Sequence, residues 1–208
     1  MKEKGISFKD VFAAYTDDGN VNDLAEKVPL AEAILGMVVK HHPPPHEAQK
    51  YRVPKIWKGD LDSDIGKAIL NCDDNGPAVM MIVNMQMDPA AGPVAIGRLF
   101  SGTLKDGQSV NLIDTHREGR IQSVNFFMGN QREMVGELSA GNIPALLGLG
   151  EARAGQTLST IKDVAVFEGI KYVSEPVVQM AIEPKHAKDL PKMVEILKRL
   201  TIEDPNLV

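Results

Sequence analysis

Aromatic residues are scarce, 5% of 208, so any core has to be built from aliphatic side chains and ten methionines. The single cysteine, Cys72, excludes a disulfide framework and a thiolate metal cluster, and points to a reducing, cytoplasmic setting. No stretch approaches the ~20 apolar residues of a membrane span, and Met1 to Gly5 carry no apolar signal segment. A soluble protein with no membrane partner is expected. Positive charge is also short: 23 Lys and Arg stand against 28 Asp and Glu, a net charge of −5. That excludes a surface coating nucleic acid everywhere but leaves room for a local basic patch.

A phosphate-binding loop is missing too. G-x-x-x-x-G-K-[ST] cradles phosphates with backbone amides and holds magnesium with its hydroxyl. The nearest approach is Gly66-Lys67, but the preceding glycine is Gly59 and Ala68 lacks the hydroxyl. Asp73-Asp-Asn-Gly76 reads as a turn before a strand. His41, His42 and His46 form the one histidine cluster, yet three prolines separate them and no cysteine lies near, so no metal is expected. No catalytic acid, base or nucleophile stands out; Cys72 lies beside two acids that disfavour a thiolate.

What is present falls into three textures. From Ile6 to about Gln49 the pattern is helical, with Leu30, Ala33, Ile34, Met37 and Val38 on one face. Pro43 to Pro45 end that helix at His42. Lys50 to Asp64 is polar and reads as an irregular connector. From Ala68 to Thr160 the texture is β, with strands expected over 78–87, 94–103, 109–113, 120–127, 143–147 and 157–160. Asp88 to Gly92 and Lys105-Asp-Gly107 supply turns, and the spacing predicts an antiparallel barrel or sandwich. Last come a strand over Val177–Ile182 and a helix over Ala187–Leu200, whose Leu190, Met193, Val194, Leu197 and Leu200 form an apolar stripe. One strand and one helix do not close a core.

The segment Gly92-Pro-Val-Ala-Ile-Gly-Arg-Leu-Phe-Ser-Gly-Thr-Leu-Lys-Asp-Gly-Gln-Ser-Val110 resembles the barrel signature of translational GTPases. His46 to Asp60 resembles the connector leaving the GTPase domain in translation elongation factors of the archaeal and eukaryotic type two, ribosomal translocases of the elongation factor G class. Leu30 to Pro43 resembles the helix before it. Glu175 to Pro184 and Asp189 to Leu200, with Asp204-Pro205, resemble the start of that family's third domain. The short connection between Trp57 and Cys72 looks more like the archaeal branch. These matches occur in the family's order along nearly the whole chain.

The resemblance implies an internal piece of such a factor, mainly β with flanking helices. Residues 1–66 would be the helical end of the GTPase domain and its connector. Residues 67–170 would form a six-stranded antiparallel translation-factor barrel, and 171–208 an incomplete βα start of a ferredoxin-like domain. The parent would use GTP and magnesium; this piece would bind neither and be inactive alone. The partner implied is the ribosome, through small-subunit RNA, with Arg98, Lys105, Arg117 and Arg120 as candidate contacts. Arg98 and Lys105 are expected on the outer face. The cut end should dock on the barrel or the N-terminal helices, or self-associate, because its stripe and open strand edge lack cover. Two other readings are an enzyme on a barrel scaffold, for which no residue set speaks, and an unrelated β-barrel protein-interaction module, against which the ordered match counts.

Overall fold

The computed structural model describes residues 5–16, 21–88, 90–129, 131–170 and 180–204. Its compact units divide after Pro44.

The first unit is helical: α1 (Phe8–Thr16), α2 (Val21–Lys27) and α3 (Leu30–His41). Ser7 and Asp10 cap α1 reciprocally, the Ser7 backbone N–H donating to Asp10 Oδ2 at 2.7 Å and the Asp10 N–H to Ser7 Oγ at 3.4 Å. This satisfies amides that the first helical turn leaves unpaired. α3 stops where expected, with His42 extended.

The second unit opens with two helices, the first running into the expected irregular connector over 50–64 and the second into the start of the expected β texture at Ala68. α4 (Pro45–Ile56) and α5 (Asp64–Asn71) flank a short loop. The reason is tertiary. Gln49, Val53 and Trp57 recur every four residues and are buried on one face, but a polar member and Pro54 hide that stripe in the sequence. α5 starts at Ser63, whose Oγ accepts the Gly66 N–H at 3.0 Å, and ends at Cys72 in the left-handed conformation.

Ten strands follow: β1 (Val79–Asp88), β2 (Gly92–Ser101), β3 (Thr103–Lys105), β4 (Ser109–Leu112), β5 (Arg117–Arg120), β6 (Ser123–Met128), β7 (Gln131–Met134), β8 (Glu137–Ser139), β9 (Ala145–Leu147) and β10 (Thr157–Ser159). Eight pair in the order β5-β4-β10-β1-β2-β9-β6-β7, and β3 pairs with β8. These ladders are all antiparallel, with irregularities in the β1–β2 register after Val79 and after Ile82. The long β1–β2 hairpin and the cores of β4, β6, β9 and β10 lie where expected. β3, β5, β7 and β8 were not anticipated, and 120–127 divides at Ile121-Gln122. β5 and β7 read Arg-Glu-Gly-Arg and Gln-Arg-Glu-Met because they are the outermost strands of the sheet, where water, not a core, meets their side chains.

The sheet surrounds one core. Met80, Ile82 and Met85 of β1 meet Leu99, Leu104, Val110, Val124, Leu146 and Leu158 there. β1 is buried on both sides near its start: Val79 faces a second cluster with Val53, Trp57, Ile69, Phe100 and Phe167. That cluster seats α4 and α5 on the sheet. Phe100 and Phe167 stack with centroids 4.5 Å apart, and Trp57 Nε1 donates to the Ala165 carbonyl at 2.8 Å.

Beyond the sheet, α6 (Leu190–Glu203) follows a short 3-10 turn over Ala187–Asp189. Of the strand expected over 177–182, residues 177–179 lie outside the described residues. Met180 to Ile182 are irregular and exposed rather than strand, because among the described residues no strand pairs with them.

Candidate RNA-facing residues

The four candidate cations are held in three different ways. Lys105, at the end of β3, is exposed and reaches across to β8, its Nζ 2.9 Å from Glu137 Oε2. Arg117 opens β5, with Nη1 2.5 Å from Glu151 Oε2. Both pairs are solvent-exposed, so each holds its cation only weakly and leaves it available to a stronger anion. Arg120 closes β5 and donates through Nε to the Gly107 carbonyl at 2.9 Å, bracing the turn after Lys105. Gly107 adopts φ 74, the left-handed backbone that this turn requires.

Arg98 alternates with Leu99, which enters the central core, and so shares the opposite face of β2 with Phe100 of the second cluster. It lies on β2 opposite Met81 and is half-buried. Burial lowers its guanidinium pKa; Cys72 opposes that and the like charge of Arg52 adds to it. Arg98 lines an open groove of about 400 Å³ with Phe126, Phe127, Leu138, Gly141, Asn142 and Ile143. The half-burial reflects what lies over that face: Arg52 of α4 and Cys72 at the end of α5 are the charged and titratable groups near enough to act on it.

The structure therefore brings Lys105 and Arg120 together at one turn and leaves Arg98 on another strand. Between β5 and β2 run β4, β10 and β1. Sequence reasoning did not register Arg52, whose helix it had taken for a connector. It also missed Arg132, whose Nη1 is 2.8 Å from Asp88 Oδ2 and ties β7 to the β1–β2 turn. An alternation count over the short β7 was the signal available for Arg132, and it is too short to trust.

Catalytic and cofactor chemistry has little to build on. Burial pushes the Cys72 thiol pKa up, with Asp74 adding and Arg98 opposing, which favours the unreactive thiol. Among the described residues no group of three or more His, Cys, Asp or Glu is placed to hold a metal ion. Gly66 and Lys67 do not form a phosphate cradle, because their amides are already used inside α5. Gly66 N–H donates to Ser63 Oγ at 3.0 Å and Lys67 N–H to the Ser63 carbonyl at 2.9 Å. Among the described residues no helix is long and apolar enough to cross a membrane.

Comparison with known proteins matches residues 77–161 to the family described as elongation factor G domain 2. Over its whole length the chain is 73% identical to elongation factor 2 of Cenarchaeum symbiosum, covering 28% of that protein. It is 52% identical to elongation factor 2 of Sulfurisphaera tokodaii, covering 29% of it, and 48% identical to that of Archaeoglobus fulgidus, covering 28%. In each case all of this chain is aligned. The chain thus spans less than a third of the length of these curated relatives.

Proposed function

We propose that this chain, which belongs to the elongation factor 2 family, is the ribosome-contacting barrel and relay portion of a factor driving GTP-dependent translocation of tRNA and mRNA. The observation that carries the reading is the alignment of all 208 residues with elongation factor 2 sequences, with the domain 2 match within it. GTP and magnesium would act in the parent, in the cytoplasm. The residues here do not fit that cofactor, since the only approach to a phosphate loop is consumed by α5, and no step through it is assigned to them.

The proposed division is 1–66, the end of the GTPase domain with its connector; 67–170, the barrel; and 171–208, the start of a third domain. A closed barrel is supported by the single core enclosed by β1, β2, β3, β4, β6, β9 and β10. It is supported also by backbone bonds across the gap left by the ladders. Gly107 N–H donates to the Ile121 carbonyl at 2.9 Å and Asp106 N–H to that of Gly136 at 2.9 Å. The identities with three organisms' factors favour the archaeal branch.

Arg98, Lys105, Arg117 and Arg120 are the proposed contacts to small-subunit RNA. With a net charge of −5, contact has to be local, and phosphate contacts weaken as salt rises. Co-sedimentation with isolated small subunits over a salt series tests this. The expected result is salt-sensitive pelleting, reduced by the double reversal Arg98→Glu with Lys105→Glu. An unchanged pelleted fraction in the double variant removes those two residues from the site. No pelleting by the parent chain at low salt overturns the binding role.

A further inference from the structure

Glu203 is the last residue of α6, and on helical electrostatics it is misplaced. The C-terminal end of a helix carries partial negative charge, so a carboxylate there is unfavourable. No basic residue occupies that last turn to offset it. The structure shows what the carboxylate does instead: Glu203 Oε1 accepts the backbone N–H of Met87 on β1, at 2.5 Å. The first part of β1 is flanked by β10, which pairs only with Val79 to Met81. Ile82 still exchanges backbone bonds with Gln156 and Gly155, but beyond it no strand among the described residues pairs with β1 on that side, so Met87 lies along a stretch of open edge.

The neighbouring residue completes the contact. Ile202 is partly buried and packs against the sheet's central core, whereas Leu190, Val194, Ile196, Leu197 and Leu200 of the same helix are exposed. α6 thus meets the sheet through its final turn and not along its apolar stripe. A charge-assisted bond to a strand amide and one inserted side chain make a small attachment, which can open as a unit without disturbing the core.

We propose that the last turn of α6 is a clasp on the open edge of β1, with Glu203 as its positioning residue and Ile202 as its plug. Engaged, it fixes the direction of α6 relative to the sheet; released, it frees the helix while the sheet stays intact. The device does not depend on any contact with RNA.

Amide hydrogen exchange on the 208-residue chain tests it, because the two accounts of Glu203 predict opposite signs. Under the clasp, Glu203→Ala speeds exchange of the Met87 amide and of the α6 amides by about tenfold. Core amides at Met80, Leu99 and Val124 are unchanged and serve as the internal control for folding. Glu203→Gln keeps an acceptor and gives a smaller acceleration, and Ile202→Ala reproduces the acceleration with the carboxylate in place. If Glu203 acts only within its helix, removing the charge relieves the dipole conflict and α6 exchange slows. Slower or unchanged α6 exchange, an unchanged Met87 amide, or equal acceleration of the core amides overturns the proposal. Ribosome binding can fail in the assay above and leave this result intact.

Discussion

The side-chain amide of Gln49 donates to the backbone carbonyl of Phe100 at 2.9 Å, joining a helix to a strand 51 residues away. The same Nε2 donates to the Ile69 carbonyl on α5, so one buried group ties α4, α5 and β2 together. Both acceptors are backbone carbonyls of buried residues; the Ile69 carbonyl also takes the Cys72 N–H at 3.4 Å, so the Phe100 carbonyl is the one that depends on Gln49.

Gln49→Leu should therefore cost more than its change in polarity suggests. The loss of both bonds, offset in part by removal of the buried and unpartnered Gln49 Oε1, predicts a destabilisation of about 1–2 kcal/mol. Denaturant unfolding followed by the fluorescence of Trp57, the one tryptophan, reads it directly. A midpoint shift within error of zero would show that the helices are seated by apolar contact alone.

Ile82 is fully buried in the central core. Ile82→Ala should cost about 2–5 kcal/mol through lost burial and the cavity left behind. The same unfolding experiment checks it, and a loss under about 1 kcal/mol would mean that the core around β1 collapses to fill the space.

Gly97 and Gly92 share a strand but should respond differently to alanine. A Cβ at Gly97 would lie 2.1 Å from the Met81 carbonyl oxygen, so the β1–β2 pairing has to shift. A Cβ at Gly92 meets nothing within 4 Å, and only its φ of +82 is strained. Gly97→Ala should prevent cooperative folding, whereas Gly92→Ala should cost about 1 kcal/mol. Similar thermal midpoints for both variants would contradict the close approach.

Asp88 accepts the N–H groups of Ala91 and Ala90 at 2.9 and 2.8 Å, and these bonds, with Arg132 beside them, hold its pKa below the ordinary 3.8. A lowered folded-state pKa contributes stability that is complete above the ordinary value and lost as pH falls through the lowered one. Asp88→Asn keeps an acceptor for the turn but does not titrate. Its stability should fall less steeply than the parent's from about pH 5 to about pH 2. Parallel curves for the two proteins would remove Asp88 from the acid transition.

Guanine nucleotide should not bind. Calorimetric titration with GTP and magnesium at ~100 μM protein is sensitive to micromolar affinities. A saturable one-site heat would contradict the use of the Gly66 and Lys67 amides within α5.

The family resemblance was legible along the chain, because it rests on the order of motifs from Leu30 to Asp204 and needs no contact information. The β1–β2 hairpin, the end of α3 at His42 and the body of α6 were legible as well. Each is written in local chemistry: a long apolar run with a turn, a triple proline, a stripe at helical spacing. Tertiary structure decided the rest. α4 is a helix because Gln49, Val53 and Trp57 find partners on β2 and around Phe167, which no window of its own residues reveals. β5, β7 and β8 are strands because partners in the sheet take up their backbone groups, though their side chains are those of solvent-facing loops. Arg98 is half-buried beside Arg52 of α4 and Cys72 at the end of α5, neighbours that only the packing of helices on the sheet supplies. The carboxylate of Glu203, unfavourable in its own helix, has its place only because the open edge of β1, more than a hundred residues earlier, supplies an amide.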